Sequence, residues 1–587
     1  MADVKTAWKT IVARALAAFA KDKGLELTLP GPDGIVVERP PKPELGDLGF
    51  PMFPYAKLFR SAPAQVAQGL AACIAADPEA AAFGTALAEG PYLNVRLSRS
   101  GEIGRVLGAA LSPEWGKSSS LAGHRILVEF SSPNTNKPLH LGHLRNNILG
   151  ETLSRVLSAA GAEVRKFNHI DDRGTHICKS MLAYMRYGEG HTPQDEGLKG
   201  DHFVGKYYVL FNKYKEEVPT AEEEAQGMLK KWEEGDPATL ELWGKMRGWV
   251  LEGIAETYRR TGISFDSYDY ESELYEFGRT EVLRGLAAGV FTKGDDGAVF
   301  VDLEDVGLDR KYLLRSDGTS IYITQDIGTA IHRHENWPYD RLVYVVGNEQ
   351  QYHFKVLFEI LKRLGFDWAK DLHHLSYGMV NLPSGRMKTR EGTVVDADDL
   401  VDEVAKLAAA EIEAKGREDA VGDSSAVAEK IALGAIHYYL LQVAPAKDML
   451  FDPEASLSFN GDTGPYIQYM GARASSILRK HAAGEGNAVK GKASPVKLEG
   501  DGDWALVRRV AALPEILDSA AAAMDPSLVA AYLHDLASDF STWYRENPVL
   551  NCPDPDLAAS RLELVKAVRR SLEIGMGLVN IPFLEAM

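Results

Sequence analysis

Pro133-Asn134-Thr135-Asn136-Lys137-Pro138-Leu139-His140-Leu141-Gly142-His143 joins two segments of different hydrophobic period. It follows an apolar run, Ile126-Leu127-Val128-Glu129-Phe130. It precedes a segment with apolar residues at Leu141, Leu144, Ile148, Leu149, Leu153, Val156, Leu157 and Ala160. The run reads as a strand and the segment has helical spacing. Gly161 stops the helix, and residues 163–170 read as the next strand, which completes a strand, loop, helix, strand unit. A loop there lies where a helix N-terminus meets the carboxyl edge of a parallel sheet. Unpaired N–H groups and the positive end of the helix dipole favour a phosphate at that place. Gly142 permits close approach, and His140 and His143 both have donors for phosphate oxygens. By itself a His-x-Gly-His is as well explained by two histidines packed beside a turn, so the rest of the chain has to decide.

From Ile126 to about Val404 strands and helices alternate, the pattern of a parallel α/β sheet. The alternation breaks at residues 188–262, which read as an inserted helical hairpin. Tyr207, Tyr208, Leu210 and Phe211 fall on one side of it and Lys230, Lys231, Glu233 and Glu234 on the other. Residues 1–117 form a first unit ending in a Ser/Pro/Gly-rich linker. After about residue 408 helical spacing continues over 410–418, 426–444, 464–484, 504–524 and 526–545, with an exposed loop at 484–502. The expected architecture is an N-terminal α+β domain (1–117), a parallel-sheet α/β core (118–408) with a helical insertion (188–262), and an all-α bundle (409–587).

Composition narrows the classes. Of 587 residues 45% are hydrophobic and 25% charged, ordinary for a soluble globular chain of several domains. No long uncharged apolar run is present. The first two dozen residues carry Asp3, Lys5, Lys9, Arg14 and Lys21, so they read as an amphipathic surface helix and not a signal peptide, and no membrane partner is expected. A net charge of -18 argues against an unspecific polybasic DNA binder but leaves room for an RNA face. Cys73, Cys178 and Cys552 are far apart, without metal-ligand spacing, which implies a reducing, cytoplasmic setting. The cluster His169, Asp171, Asp172, His176 and Cys178 reads as structural, so no metal site is expected.

A second motif, Ser384-Gly385-Arg386-Met387-Lys388-Thr389-Arg390-Glu391-Gly392-Thr393, follows another strand-like run at 375–382. Glycines flank a set of cations, as in a loop that closes over a polyphosphate. The first motif resembles the HIGH signature, and the second the KMSKS loop, of class I aminoacyl-tRNA synthetases, which implies a Rossmann-type catalytic core. The second motif departs from that pattern, because Thr389 stands where most of the class has its second lysine. Lys137, just before the first histidine, is the replacement. That compensation is similar to the arginyl-tRNA synthetases. The resemblance extends through Asn168-His169-Ile170-Asp171-Asp172-Arg173-Gly174-Thr175-His176-Ile177, residues 316–326, residues 344–354, and Asp462-Thr463-Gly464-Pro465-Tyr466-Ile467-Gln468-Tyr469.

The resemblance implies attack of the arginine carboxylate on the α-phosphate of ATP, with Mg2+ on the phosphates and no permanent cofactor. Transfer of arginine to the terminal adenosine of tRNA(Arg) follows. Lys137, His140, His143, Lys388 and Arg390 form the implied catalytic set, and Pro133, Gly142, Met387 and Thr389 join His140, His143 and Lys388 around ATP. An always-charged planar guanidinium needs carboxylates in its plane. Asp326 is the leading candidate, with Tyr322 one turn earlier. The resemblance adds Glu129 and Asn134 for the α-amino end and Gln350 for the side chain, so that five residues come from three segments at strand ends. Taken alone, Asp326 also fits a helix N-cap before residues 327–332. Tyr466, Tyr469 and Arg473 are the implied tRNA contacts in the tail, although two tyrosines three apart also suit a helix core. Gly46-Asp47 resembles the part that meets the tRNA elbow, and the last ten residues depart from the family's usual ending. Activation is expected to depend on tRNA, the enzyme to be a monomer, and an editing domain to be unnecessary. Two other readings remain: an RNA-binding relic of the same fold, and a class I synthetase for lysine, cysteine or glutamine.

Overall fold

Ile126, Leu127 and Val128 are consecutive and all buried, so their strand is covered on both faces, as a central parallel strand must be. The structure is a computed structural model that describes residues 4–38, 40–381, 395–414 and 423–587. Its central sheet holds β1 (Arg125–Glu129), β2 (Glu163–Ile170), β3 (Ser267–Tyr270), β4 (Arg341–Gly347) and β5 (Leu372–Tyr377). The spatial order is β5-β4-β1-β2-β3 and every neighbouring pair is parallel. The chain winds outward from β1 toward β3 and then returns to add β4 on the other side. The crevice between the carboxyl ends of β1 and β4 is therefore the topological switch point, where ligands of open α/β sheets bind.

Five helices position the residues around that crevice: α1 (Leu141–Ala159), α2 (Pro237–Thr261), α3 (Glu271–Ala287), α4 (Tyr322–Asn336) and α5 (Gln351–Arg363). Helix α1 is buried almost all round and ends at Gly161, whose φ of +100° a side chain would resist. Helices α3 and α4 cross backbone to backbone: a Cβ on Gly278 would lie 1.8 Å from the Thr324 carbonyl oxygen. The insertion lies within the expected bounds but holds three long helices, not the two of a hairpin. It comprises a short turn, Pro193–Glu196, and the long helices Gly200–Glu217, Ala221–Glu233 and α2, because Pro237 with its Asp236 cap starts a fresh helix. Between α3 and α4 the chain builds a small antiparallel sheet, Thr292–Lys293, Val299–Val301 and Lys311–Leu314, whose strands are too short for their alternation to register in the sequence. The apolar side chains of β1 and β4 join those of this sheet, α4 and α5 in one core.

The chain divides into two compact units. One comprises residues 1–115, 474–512 and 538–571, and contains an antiparallel sheet, Leu48–Pro51, Tyr92–Leu97 and Gly84–Glu89. The other comprises residues 116–473, 513–537 and 572–587 and contains the parallel sheet. In the tail, Pro514 breaks the single helix expected over 504–524 into Asp501–Ala511 and Leu513–Ala523, since it has no N–H to continue the ladder. The first tail helix begins earlier than expected, at Ala397–Ala414, and a last one, Pro555–Leu578, was not anticipated.

Candidate active site

The first motif folds into a helix start capped by its own histidines. His140 is the N-cap of α1, and its Nδ1 accepts from the backbone N–H of Gly142 at 3.1 Å and of His143 at 3.4 Å. His143 Nδ1 in turn accepts from the His140 N–H at 3.1 Å, and the ring centroids are 3.8 Å apart. With both Nδ1 atoms accepting, each neutral ring carries its proton on Nε2, so both present an N–H donor. Burial, then the charge of Lys137, pulls His140 down to about 4; burial also holds His143 well below the ordinary histidine value, aided by His140 and Lys137. Lys137 is itself lowered by burial, and Asp171 opposes that shift. The result is one ammonium with two neutral imidazole donors at a helix N-terminus, a receptor for phosphate oxygens.

The second motif, residues 384–393 with Met387, Lys388, Thr389 and Arg390, lies outside the described residues. Its flanks are bound to the first motif. Leu141 N–H donates to the Val395 carbonyl at 3.1 Å and Ala397 N–H to the Leu139 carbonyl at 2.9 Å. Upstream, the fully buried Arg145 of α1 donates to the carbonyls of Gly378, Met379, Pro445 and Lys447 at 2.7–3.2 Å. Burial without a carboxylate partner of its own brings Arg145 down to about 10, with Tyr377 and Asp448 opposing.

Facing these cations is a group of acids. Residues 133–135 extend the sheet alongside Asp171: Thr135 N–H donates to its carbonyl at 3.0 Å, and its own N–H donates to the Pro133 carbonyl at 3.1 Å. Asn134 bridges to Asp171 in this pairing. Burial, then Glu271, Asp326, Glu129 and Asp172, raises the Asp171 carboxyl well above the usual range. Burial raises Glu271 to about 7, against Arg173 and a hydrogen bond from Gln325. The Tyr322 hydroxyl is raised by the charge of Asp171, then burial, Asp326, Glu271 and Glu129, while the residue remains 65% exposed at the mouth. Asp326 accepts from His353 Nε2 of α5 at 2.6 Å. Glu129, at the end of β1, pairs with the buried Arg333 of α4, which also holds Asp269 at 2.5 Å.

The structure thus brings Lys137, His140 and His143 together on one side, and Glu129, Asn134, Tyr322 and Asp326 on the other. Gln350 stands exposed in the Asn348–Gln350 turn at the end of β4. Two expectations are corrected. Asp326 is not an N-cap, because α4 begins four residues earlier with Thr324 Oγ1 accepting from the Ile321 N–H at 3.2 Å. For the same reason Tyr322 and Asp326 sit on a helix and not at a strand end. Sequence reasoning missed Glu271, passed over His353, and read Asp171 only as structural. Gly278 and Gly328 were the available signal for Glu271: the α3/α4 crossing they permit brings it beside Gln325 and Asp326. In the tail, Tyr466, Tyr469 and Arg473 are half-buried on Gly464–Ala482, with Arg473 donating to the Tyr469 hydroxyl at 2.7 Å and Tyr466 beside His534.

Known proteins resemble the chain along its whole length. The profile of "tRNA synthetases class I (R), catalytic domain" matches residues 109–452. The "Arginyl tRNA synthetase N terminal domain" matches 6–97 and the "DALR anticodon binding domain" matches 467–587. The arginine–tRNA ligase of Treponema denticola is 53% identical, with all of both chains covered. That of Borrelia hermsii is 41% identical, over 100% of this chain and 99% of the relative. Among solved structures, Thermus thermophilus arginyl-tRNA synthetase aligns over 98% of this chain and 99% of its own, with 29% identity and a TM-score of 0.77. The chain belongs to the arginyl-tRNA synthetases, within class I of the aminoacyl-tRNA synthetases.

Proposed function

We propose that in the crevice between β1 and β4 the arginine carboxylate displaces pyrophosphate from the α-phosphate of ATP, that the arginyl-adenylate then passes arginine to tRNA(Arg) with release of AMP, and that the two opposed faces of the crevice divide the work. The observation that carries this reading is the pairing of a half-buried acid group, Asp171, Glu271 and Asp326, with Lys137, His140 and His143 around one crevice. The guanidinium enters among the acids, with Tyr322 against it and Glu129 and Asn134 at the α-amino end. That orientation directs the arginine carboxylate toward the histidines and the α-phosphate of ATP. Neutral Nε2–H donors and the Lys137 ammonium then stabilise charge as it builds on the phosphate oxygens, without a covalent enzyme intermediate.

Magnesium travels with ATP as part of the substrate. Lys388 and Arg390, with Met387 and Thr389 beside the nucleotide and Pro133 and Gly142 beneath it, complete the ATP contacts in this reading. Residues 1–117 and 409–587, including Tyr466, Tyr469 and Arg473, bear on the tRNA. The enzyme acts as a cytoplasmic monomer, and no described helix is long and apolar enough to cross a membrane. Thr389 motivates one further step: arginine activation depends on tRNA. Arginine-dependent exchange of pyrophosphate into ATP tests it. Exchange only when tRNA is present is the expected result, and appreciable exchange without tRNA counts against the dependence.

A further inference from the structure

Helix α2 belongs to the insertion, yet its side chains reach three separate parts of the crevice. Near its start, Trp243 Nε1 donates to the Asp172 carbonyl at 2.7 Å and Arg247 pairs with the Asp172 carboxylate at 2.8 Å. Asp172 is fully buried and also accepts from the Ser272 N–H and hydroxyl at 2.9 and 2.8 Å. Because Asp172 follows Asp171 and Ser272 follows Glu271, this knot fixes two of the pocket acids together.

About three turns later, Tyr258 meets the entry to the first motif. Ser131 and Ser132 have φ of +80° and +48°, two consecutive non-glycine residues in the left-handed region. Such backbone persists only where its surroundings over-determine it. Here Ser131 Oγ shares a hydrogen bond with the Tyr258 hydroxyl at 2.6 Å, and Asn168 Nδ2 donates to that hydroxyl at 3.0 Å. Ser131 N–H donates to Asn146 at 2.5 Å and Ser132 N–H to Asn168 at 3.1 Å. Pro133, Asn134 and the histidine loop leave directly from this corner.

At its end α2 holds the residues just after the second motif. Thr257 Oγ1 donates to Asp398 at 3.0 Å, Lys199 Nζ donates to Thr257 at 2.6 Å and also pairs with Asp398, and Arg260 Nη1 donates to the Asp398 carbonyl at 3.3 Å. Asp201, His202 and Asp398 are close enough to hold a metal ion, but the Lys199 ammonium already pairs with both carboxylates. Beside its buried apolar Met246, Val250 and Ile254, this helix commits the buried Thr257 and Tyr258 and the half-buried Trp243, Arg247 and Arg260 to polar contacts with the acid pocket, the first motif and the root of the second.

We infer that α2 aligns the three parts of the crevice for reaction, and that Tyr258 is a positioning residue which holds the Ser131–Ser132 corner so that Asn134 and His140 face the substrates in register. The inference rests on the site roles proposed above. Tyr258→Phe in the full chain removes one oxygen and leaves the ring against Phe265. It is expected to lower kcat for arginine charging about tenfold, with the KM for arginine within twofold, at a temperature where circular dichroism shows the protein folded. Glycine adopts the Ser131 conformation without strain. In a Ser131→Gly background the same change is therefore expected to cost less than threefold. Native kcat for folded Tyr258→Phe, or equal losses in both backgrounds, would overturn the inference. Should Tyr258→Phe not fold, Thr257→Val decides instead: a severalfold rise in the KM for ATP alone supports the alignment role, and unchanged kinetics overturn it. His140→Ala is the control. If it charges tRNA at the native rate, the site reading falls and this inference with it; if it is inactive while Tyr258→Phe is native, only the inference falls.

Discussion

The two faces of the crevice are opposite in charge and also opposite in how they are built. The phosphate face comes from one continuous stretch, residues 137–143, where one lysine, two mutually capping imidazoles and a helix start follow each other in the chain. The acid face draws Glu129 from β1, Asp171 from the end of β2, Glu271 from α3, Tyr322 and Asp326 from α4, and His353 from α5. In both, burial drives the titrations, but with contrary results. It lowers His140 and His143, which favours neutral donors, and it raises the Asp171 and Glu271 carboxyls, which a cationic guest would ionise. In the proposed reading, one crevice takes polyanion and cation side by side on two receptors that burial has each shifted toward neutrality.

Removing a donor from the phosphate face has the largest expected effect. His140→Ala should lower kcat by about 10²–10³, the usual loss for one preorganised donor to a developing oxyanion, while the KM for arginine stays within twofold. Steady-state charging kinetics check this, and a matching rise in the arginine KM would mean that the two faces are not separable. On the acid face the pattern should invert. Asp326→Asn should raise the KM for arginine by about 10–100-fold through loss of a charge-assisted pair, with the KM for ATP nearly unchanged. Unchanged arginine kinetics would remove Asp326 from the pocket.

Titration sharpens the contrast further. With the pocket empty Glu271 titrates at about 7, and a bound guanidinium favours its ionised form. Arginine affinity should therefore hold above pH 8 and weaken by up to about tenfold per unit as pH falls below 7. The raised value also means that Glu271 contributes most to the stability of the empty protein at low pH and loses that contribution as pH rises through 7. Added arginine should raise the melting temperature more at pH 8 than at pH 6. Glu271→Gln should flatten both profiles; calorimetric binding across this range decides. The smallest catalytic effect is expected from Gly278→Ala, which forces α3 from α4 and should cost about 1–3 kcal/mol of stability with only a severalfold rise in the arginine KM.

The same contrast governs what the sequence discloses. The strand at 163–170, the helix stopped by Gly161 and the histidine loop are local patterns, set by neighbours a few residues apart, and the fold follows them closely. Asp326 and Tyr322 were legible as a pair one turn apart, but where their helix starts depends on Thr324 meeting Ile321 and Leu313, which apolar spacing does not register. Glu271 and His353 reach the pocket only through the α3/α4 crossing and the return of the chain to β4. Those are non-local: the motif at 344–354 contains His353 and Gly278 follows Glu271 on the same helix, but neither says which residues the two will meet. The insertion was legible as helical and charged, whereas the three targets of α2 are up to 141 residues away from it in sequence.

In the proposed reading the acid face selects arginine for joining to tRNA. The most direct test is ATP-dependent charging of unfractionated tRNA with each of the twenty amino acids in turn. Charging with arginine alone, with lysine rejected by about 10⁴-fold or more because its point-like ammonium leaves acceptors unpaired, is the predicted result. Charging with lysine at a comparable rate, or no charging while tRNA still binds, would contradict it.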